Sequence, residues 1–256
     1  MTNSANKTPK IEAAFFDVDN TILRGSSSFL FGKAAYDRKF FSRRDFWNFA
    51  WHQFRFIAKG ENNHMLTSIL DRALGLIAGR KVADLEALSD VVYEEYIKPK
   101  LWPETVRLAK EHIKAGREVW LITAAPIEIA QVIGQRLGLT GGLGTIVERH
   151  EGVFTGQLDG KALHGKAKAK AIRALAKERN ISLKRSFAYS DSHNDLPMLT
   201  LVGNANAVNP DLILKTHANA AGWPIYNFKK RELKANREGA TESIKVPKVR
   251  QPKSKP

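Results

Sequence analysis

The chain has 256 residues, of which 43% are hydrophobic and 26% charged, with no cysteine and a formal net charge of +15. That length can bury a sizeable core as one substantial domain or two modest ones, and the composition excludes wholesale disorder and fibrous repeats. Without cysteine there are no disulfides, thiolate zinc sites, iron–sulfur clusters or cysteine nucleophiles, so any metal must rest on oxygen or imidazole.

Residues 1–10 are polar and basic, are read as disordered, and carry no signal-peptide pattern, so the expected location is cytoplasmic. Ile11 to Phe16, IEAAFF, is an apolar run that ends abruptly in Asp17-Val18-Asp19-Asn20-Thr21. This is the pattern of a buried strand whose carboxyl end opens into a polar loop. If strand geometry persists, Asp17 and Asp19 point to one side of the sheet, where one carboxylate can attack and the other can donate a proton. A capped turn uses the same residue types. Two crowded carboxylates repel, and a divalent cation with a taste for hard oxygen ligands, magnesium above all, relieves the repulsion.

From Ser28 to Ile97 apolar residues recur at spacings of three and four, interrupted by Gly60, Gly75 and Gly79. This stretch is too long for a simple crossover and is predicted to be an inserted helical cap, with 25–100 as its bounds. It holds 11 of the 23 aromatic residues between Phe29 and Phe56, together with seven basic residues from Lys33 to Lys59. Core packing and a pocket wall are favoured for these over a membrane-surface helix. The most apolar segment, Phe46 to Ala58, is broken by Asn48, His52, Gln53 and Arg55 and falls short of the roughly 20 apolar residues of a span.

A helix over Glu104 to Ala115 and the breaker Gly116 lead into a second strand, Glu118 to Thr123. The Thr123 hydroxyl and the Ala124 N–H are placed to hold a phosphoryl oxygen, although Thr123 is also an ordinary strand residue. A helix over Ile127 to Leu137 follows, and Glu148 to Gly160 reads as a hairpin appended to the sheet. In the helix Lys166 to Arg179, Lys168 falls within about 40° of Ile172 and Leu175 on the apolar stripe, while Lys166 and Lys170 face the other way. A lysine there, close to a helix N-terminus, needs an anion nearby or must snorkel to solvent.

The strand Ser186 to Ser190 precedes Asp191-Ser192-His193-Asn194-Asp195, a helix is expected over roughly Leu196 to Val202, and a last strand over Asn206 to Val208 stops at Asn209-Pro210. Strands alternating with helices predict an α/β fold, a doubly wound parallel sheet that binds ligands beyond the carboxyl ends of its strands. The core is assigned to 11–24 and 101–228. Acids at two strand ends suit a cation: Asp191 and Asp195 from one loop, Asp17 and the Asp19 region from the other. Residues 229–256 carry +7 and almost nothing to bury, and are read as a disordered basic tail. Either a solubilising end or a contact for nucleic acid or anionic membrane is consistent with it.

Acids, hydroxyl, lysine and acids thus arrive at successive strand ends or helix starts. In this order the sequence resembles the haloacid dehalogenase-like phosphohydrolases, in the subfamily IB branch that includes phosphoserine phosphatases. The resemblance spans residues 11 to 228 and rests on DVDNT, on LIT at 121–123, on Lys168 and on YSDSHNDLPML at 189–199. It implies a Rossmann-like core with a cap that excludes water, a small phosphorylated substrate, and Mg2+ as cofactor. Asp17 would be the nucleophile that becomes an aspartyl phosphate, and Asp19 the general acid and then base. Thr123 would hold the phosphoryl group, Lys168 would steady the transferring charge, and Asn194 would line the site. Asp191, with Asp195 nearby, would anchor the metal alongside Asp17 and Asp19.

One departure bears on the substrate. Phosphoserine phosphatases of this family carry an acid early in the cap, whereas Ile22 to Tyr36 contains none, which argues against phosphoserine. Arg24, Lys33 and Ser26 to Ser28 suit a substrate with additional negative charge. Two competing expectations remain: transfer of the phosphoryl group to another alcohol through the same intermediate, and a basic binding protein built on an inactive scaffold of this type.

Overall fold

A computed structural model of the chain describes residues 10–38, 51 and 74–228. Strand β1 (Ala13–Asp17) is buried along its whole length, because helices cover both faces of the sheet and both sets of alternating side chains need an apolar neighbour. Ala14 and Phe16 join the cluster with Leu108, Ile129 and Ile133, whereas Ala13 and Phe15 join Ile172, Leu175, Met198 and Leu214 on the other face.

The other strands of the main sheet are β2 (Glu118–Pro126), β3 (Gly141–Thr145), β6 (Phe187–Ser190), β7 (Asn204–Val208) and β8 (Ile225–Tyr226). Their order is β3-β2-β1-β6-β7-β8, with parallel pairing throughout. The expected doubly wound parallel sheet is therefore present. The chain winds outward from β1 in one direction and then in the other, so β1 and β6 flank the topological switch, where ligands bind in such sheets. β3 and β8 go beyond the strands legible in the sequence, β2 runs on past Thr123, and β7 begins at Asn204.

Within the insert the described helices are α1 (Ser27–Asp37) and α2 (Val82–Val92), the latter continuing through a π turn and a 3-10 turn to Lys100. The chain leaves and re-enters the core side by side: Trp102 N–H donates to Ile22 O at 2.9 Å and Arg24 N–H to Lys100 O at 2.8 Å. The aromatic and basic stretch from residue 39 to 73 lies outside the described residues apart from Trp51, as do both basic termini, 1–9 and 229–256.

The core helices are α3 (Pro103–Lys114), α4 (Ile127–Arg136), α5 (Lys166–Glu178), α6 (Leu196–Leu199) and α7 (Leu212–Ala221). The hairpin of β4 (Val147–His150) and β5 (Val153–Leu158) forms a separate two-stranded ribbon rather than extending the main sheet. Its outer edge binds the insert instead, with Gly79 N–H to Phe154 O at 2.8 Å, Phe154 N–H to Arg80 O at 2.9 Å and Val82 N–H to Gly152 O at 2.9 Å. An unpaired edge strand seeks donors and acceptors, and the insert supplies them.

Candidate active site

Asp17 is the last residue of β1 and is only 6% exposed; Lys168, in the first turn of α5, is 4% exposed. Lys168 Nζ donates to Asp17 Oδ1 at 2.6 Å and to Asp195 Oδ2 at 2.7 Å. The Ser190 hydroxyl donates to the same Asp195 oxygen at 2.7 Å. The lysine on the apolar stripe therefore has its anions, and snorkelling is ruled out by its burial.

Burial alone would lower the Lys168 pKa, but the carboxylates of Asp17 and Asp195 outweigh that and hold it above the ordinary lysine value. For Asp17 burial wins: its carboxyl is pushed up to about 7, against the pull of Lys168, with Asp195 and Asp19 adding to the rise. Asp191 is raised by burial and by the charges of Asp17 and Asp195. Asp19 is raised by burial and pulled back by the hydrogen bond from Ser27, whose N–H donates to its Oδ1 at 2.8 Å. Asp17, Asp19, Asp191 and Asp195 thus act on one another electrostatically within one region.

The neighbouring strand ends are placed by register. Asp17 pairs with Ile122 across β1 and β2, so Thr123 lies one residue further along the adjacent strand, buried, with its Oγ accepting from Ala125 N–H at 3.1 Å. The Ala124 carbonyl accepts from the Thr145 hydroxyl at 2.7 Å, and Thr145 in turn accepts from Leu163 N–H at 3.0 Å, which pins the peptide after Thr123. On the β6 side, Thr21 donates to Asp191 Oδ1 at 3.5 Å, and Asp211 holds the loop by accepting from His193 N–H at 2.7 Å.

Asn194 folds back on its own turn, with its N–H and Nδ2 each 3.2 Å from Ser192 Oγ. Arg24 stands apart: its main chain is bonded in the crossing to Lys100, and its partly exposed side chain has no bond to the acids. Sequence reasoning gave no role to Ser190, Thr21, Thr145 or Asp211, and it read Ser27 with its neighbours as suited to the substrate, whereas its N–H donates to Asp19. Ser190 and Thr21 each lie within two residues of a predicted site acid, and that proximity was their only signal.

Four buried or partly buried acids against one lysine leave an excess of negative charge that a hard divalent cation fits. Among the described residues no three acid or histidine side chains are already posed as a ligand set, so main-chain oxygen and water would have to complete the shell.

A profile of the haloacid dehalogenase-like hydrolases matches residues 14–200. The chain belongs to this family of enzymes. Phosphoserine phosphatase SerB1 of Mycobacterium tuberculosis is 47% identical over 229 residues, 88% of this chain and 74% of the relative. A solved structure from Bordetella pertussis Tohama I, described as a protein with unknown function, superposes with a TM-score of 0.75 at 25% identity over 85% of this chain and 99% of that one. A substrate-bound phosphoserine phosphatase complex shares the fold, with a TM-score of 0.60 at 19% identity over 91% of this chain and 99% of that one.

Proposed function

We propose that the chain is a magnesium-dependent phosphomonoesterase that works through an aspartyl phosphate on Asp17 and acts on a small phosphorylated metabolite. The observation that carries this reading is the buried Asp17–Lys168–Asp195 chain of ion pairs at the carboxyl ends of β1 and β6. The family match over residues 14–200 and the 47% identical relative named phosphoserine phosphatase support it.

Lys168 occupies Asp17 Oδ1 and leaves Oδ2 as the attacking oxygen, so the lysine orients the nucleophile without blocking it. Thr123 and the Ala124 N–H receive the phosphoryl oxygens, and Asp19 protonates the departing alcohol and then accepts a proton from the attacking water. Asp17, Asp191 and the main chain at Asp19 would hold the cation, while Asp195 secures Lys168 from the other side. Magnesium, when bound, neutralises charge on the transferring phosphoryl group and offsets the crowding of these acids. Asn194 would reach the substrate only by leaving Ser192, and Arg24 would meet a second anionic group at the rim.

Release of nitrophenol from para-nitrophenyl phosphate with magnesium tests the reading. Activity that persists in Asp17→Asn would remove the proposed nucleophile. Product analysis with added alcohols separates hydrolysis from transfer.

A further inference from the structure

The insert supplies the hydrogen bond that holds the Asp19 carboxylate. The Ser27 N–H, in the first turn of α1, donates to Asp19 Oδ1 at 2.8 Å. The Ser27 hydroxyl is wholly buried without a hydrogen-bond partner, and it belongs to the residue whose N–H holds Asp19. The Ser26 hydroxyl oxygen caps α1 by accepting from Phe29 N–H at 3.3 Å.

A buried hydroxyl without a partner is costly to keep, and this one sits on the residue whose main chain already holds the acid that must turn towards a leaving group. The core contributes no comparable donor to Asp19 among the described residues; the donor comes from the start of the first cap helix.

We infer that Ser27 is a positioning residue for Asp19: its N–H anchors one carboxyl oxygen, and its hydroxyl takes up the other as Asp19 swings towards the ester oxygen. The aim of the proton donor is thereby tied to the seating of α1, and hence of the cap. This inference rests on the phosphatase reading above.

The test compares Ser27→Ala with wild type on an aryl phosphate, whose phenolate leaves with little help, and on an alkyl phosphate, whose alkoxide needs a proton. The quantity compared is kcat/KM, which ends at aspartyl-phosphate formation and so excludes the later use of Asp19 as a base. Ser27→Ala is expected to lose about tenfold on the alkyl ester and about twofold on the aryl ester. In an Asp19→Asn background the same substitution should add almost nothing. Equal losses on both esters, or an undiminished loss beside Asp19→Asn, would overturn the positioning role while leaving the phosphatase reading intact. Wild-type protein inactive on both esters with magnesium would instead overturn the phosphatase reading, and this inference with it. Should Ser27→Ala fold poorly by thermal unfolding, Ser27→Cys, which keeps a weak donor, is expected to fall between wild type and alanine in the ratio of the two esters; a ratio equal to that of wild type would count against the role.

Discussion

Lys168 and Asp17 lie 151 positions apart in the chain and 2.6 Å apart in space, and each is nearly inaccessible to solvent. Neither charge would be tolerable there alone. Replacing Lys168 by methionine keeps the length and removes the cation, which leaves Asp17 and Asp195 facing each other uncompensated. The expected cost is about 3 kcal/mol of stability, together with a fall in kcat/KM of at least about a thousandfold. Lys168→Arg restores charge but not shape, and should recover stability more than activity. Urea unfolding and steady-state kinetics on the same preparations check both.

The surplus of acid in the site carries the opposite prediction for Asp191. Its carboxyl is raised by burial and by Asp17 and Asp195, so in the metal-free protein its charge works against folding above the unfolded carboxyl pKa. Asp191→Asn should therefore stabilise the metal-free protein, by on the order of 1 kcal/mol. The same substitution should abolish the rise in melting temperature expected of the wild type with magnesium, and nearly all activity. A wild-type melting temperature unmoved by millimolar magnesium would remove Asp191 from a cation site.

How far these features can be read from sequence differs by element. The runs IEAAFF, EVWLIT and SFAYS are apolar enough to announce central strands, and the polar residues that follow them mark one rim of the sheet. β3, GGLGT, has no such signal, since glycine is a poor strand former. Its glycines answer to packing: a Cβ on Gly142 would stand 2.7 Å from Ala130 Cβ, and one on Gly144 2.5 Å from Ile127 Cα. Helix α4 thus lies directly on the strand, a requirement visible only in three dimensions. The same holds for Ser27, whose partner Asp19 is set by where the cap helix starts, and for the hairpin, whose edge is claimed by residues 79–82 of the insert.

His112 on α3 offers a pH dependence outside the site. Its ring is buried against Phe16 and Phe187, its Nε2 lies 2.9 Å from the Tyr189 hydroxyl, and burial together with the Arg117 guanidinium lowers its pKa from 6.5 to about 4. Between those values the unfolded chain binds a proton that the folded protein refuses. Stability from this group is complete above pH 6.5, falls as the pH drops towards 4, and is level below that, a loss on the order of 3 kcal/mol. Urea titrations between pH 7 and 4 should show the slope, and His112→Gln should flatten it even if it lowers stability throughout. An identical slope in the variant would assign the acid sensitivity elsewhere.

The junction between hairpin and insert turns on Gly156. Its φ of +83° lies in the left-handed region that favours glycine, and an added Cβ would stand 2.7 Å from Ala78 Cβ and 3.4 Å from Leu74 O. Gly156→Ala therefore strains the backbone and pushes β5 away from the insert, at an expected cost of about 2 kcal/mol, or a fall of about 5 °C in melting temperature. Because the neighbouring main-chain bonds at Gly79, Arg80 and Val82 fasten the insert to the hairpin, the damage should appear there first. Hydrogen exchange is expected to quicken at residues 79–82 and 153–154, while the amides of β1 and β6 keep their protection. On the reading of the insert as a cap, KM should rise more than kcat falls, since the chemical groups of the core stay in place. Uniform loss of protection across the sheet would show instead that hairpin, insert and core unfold as one unit.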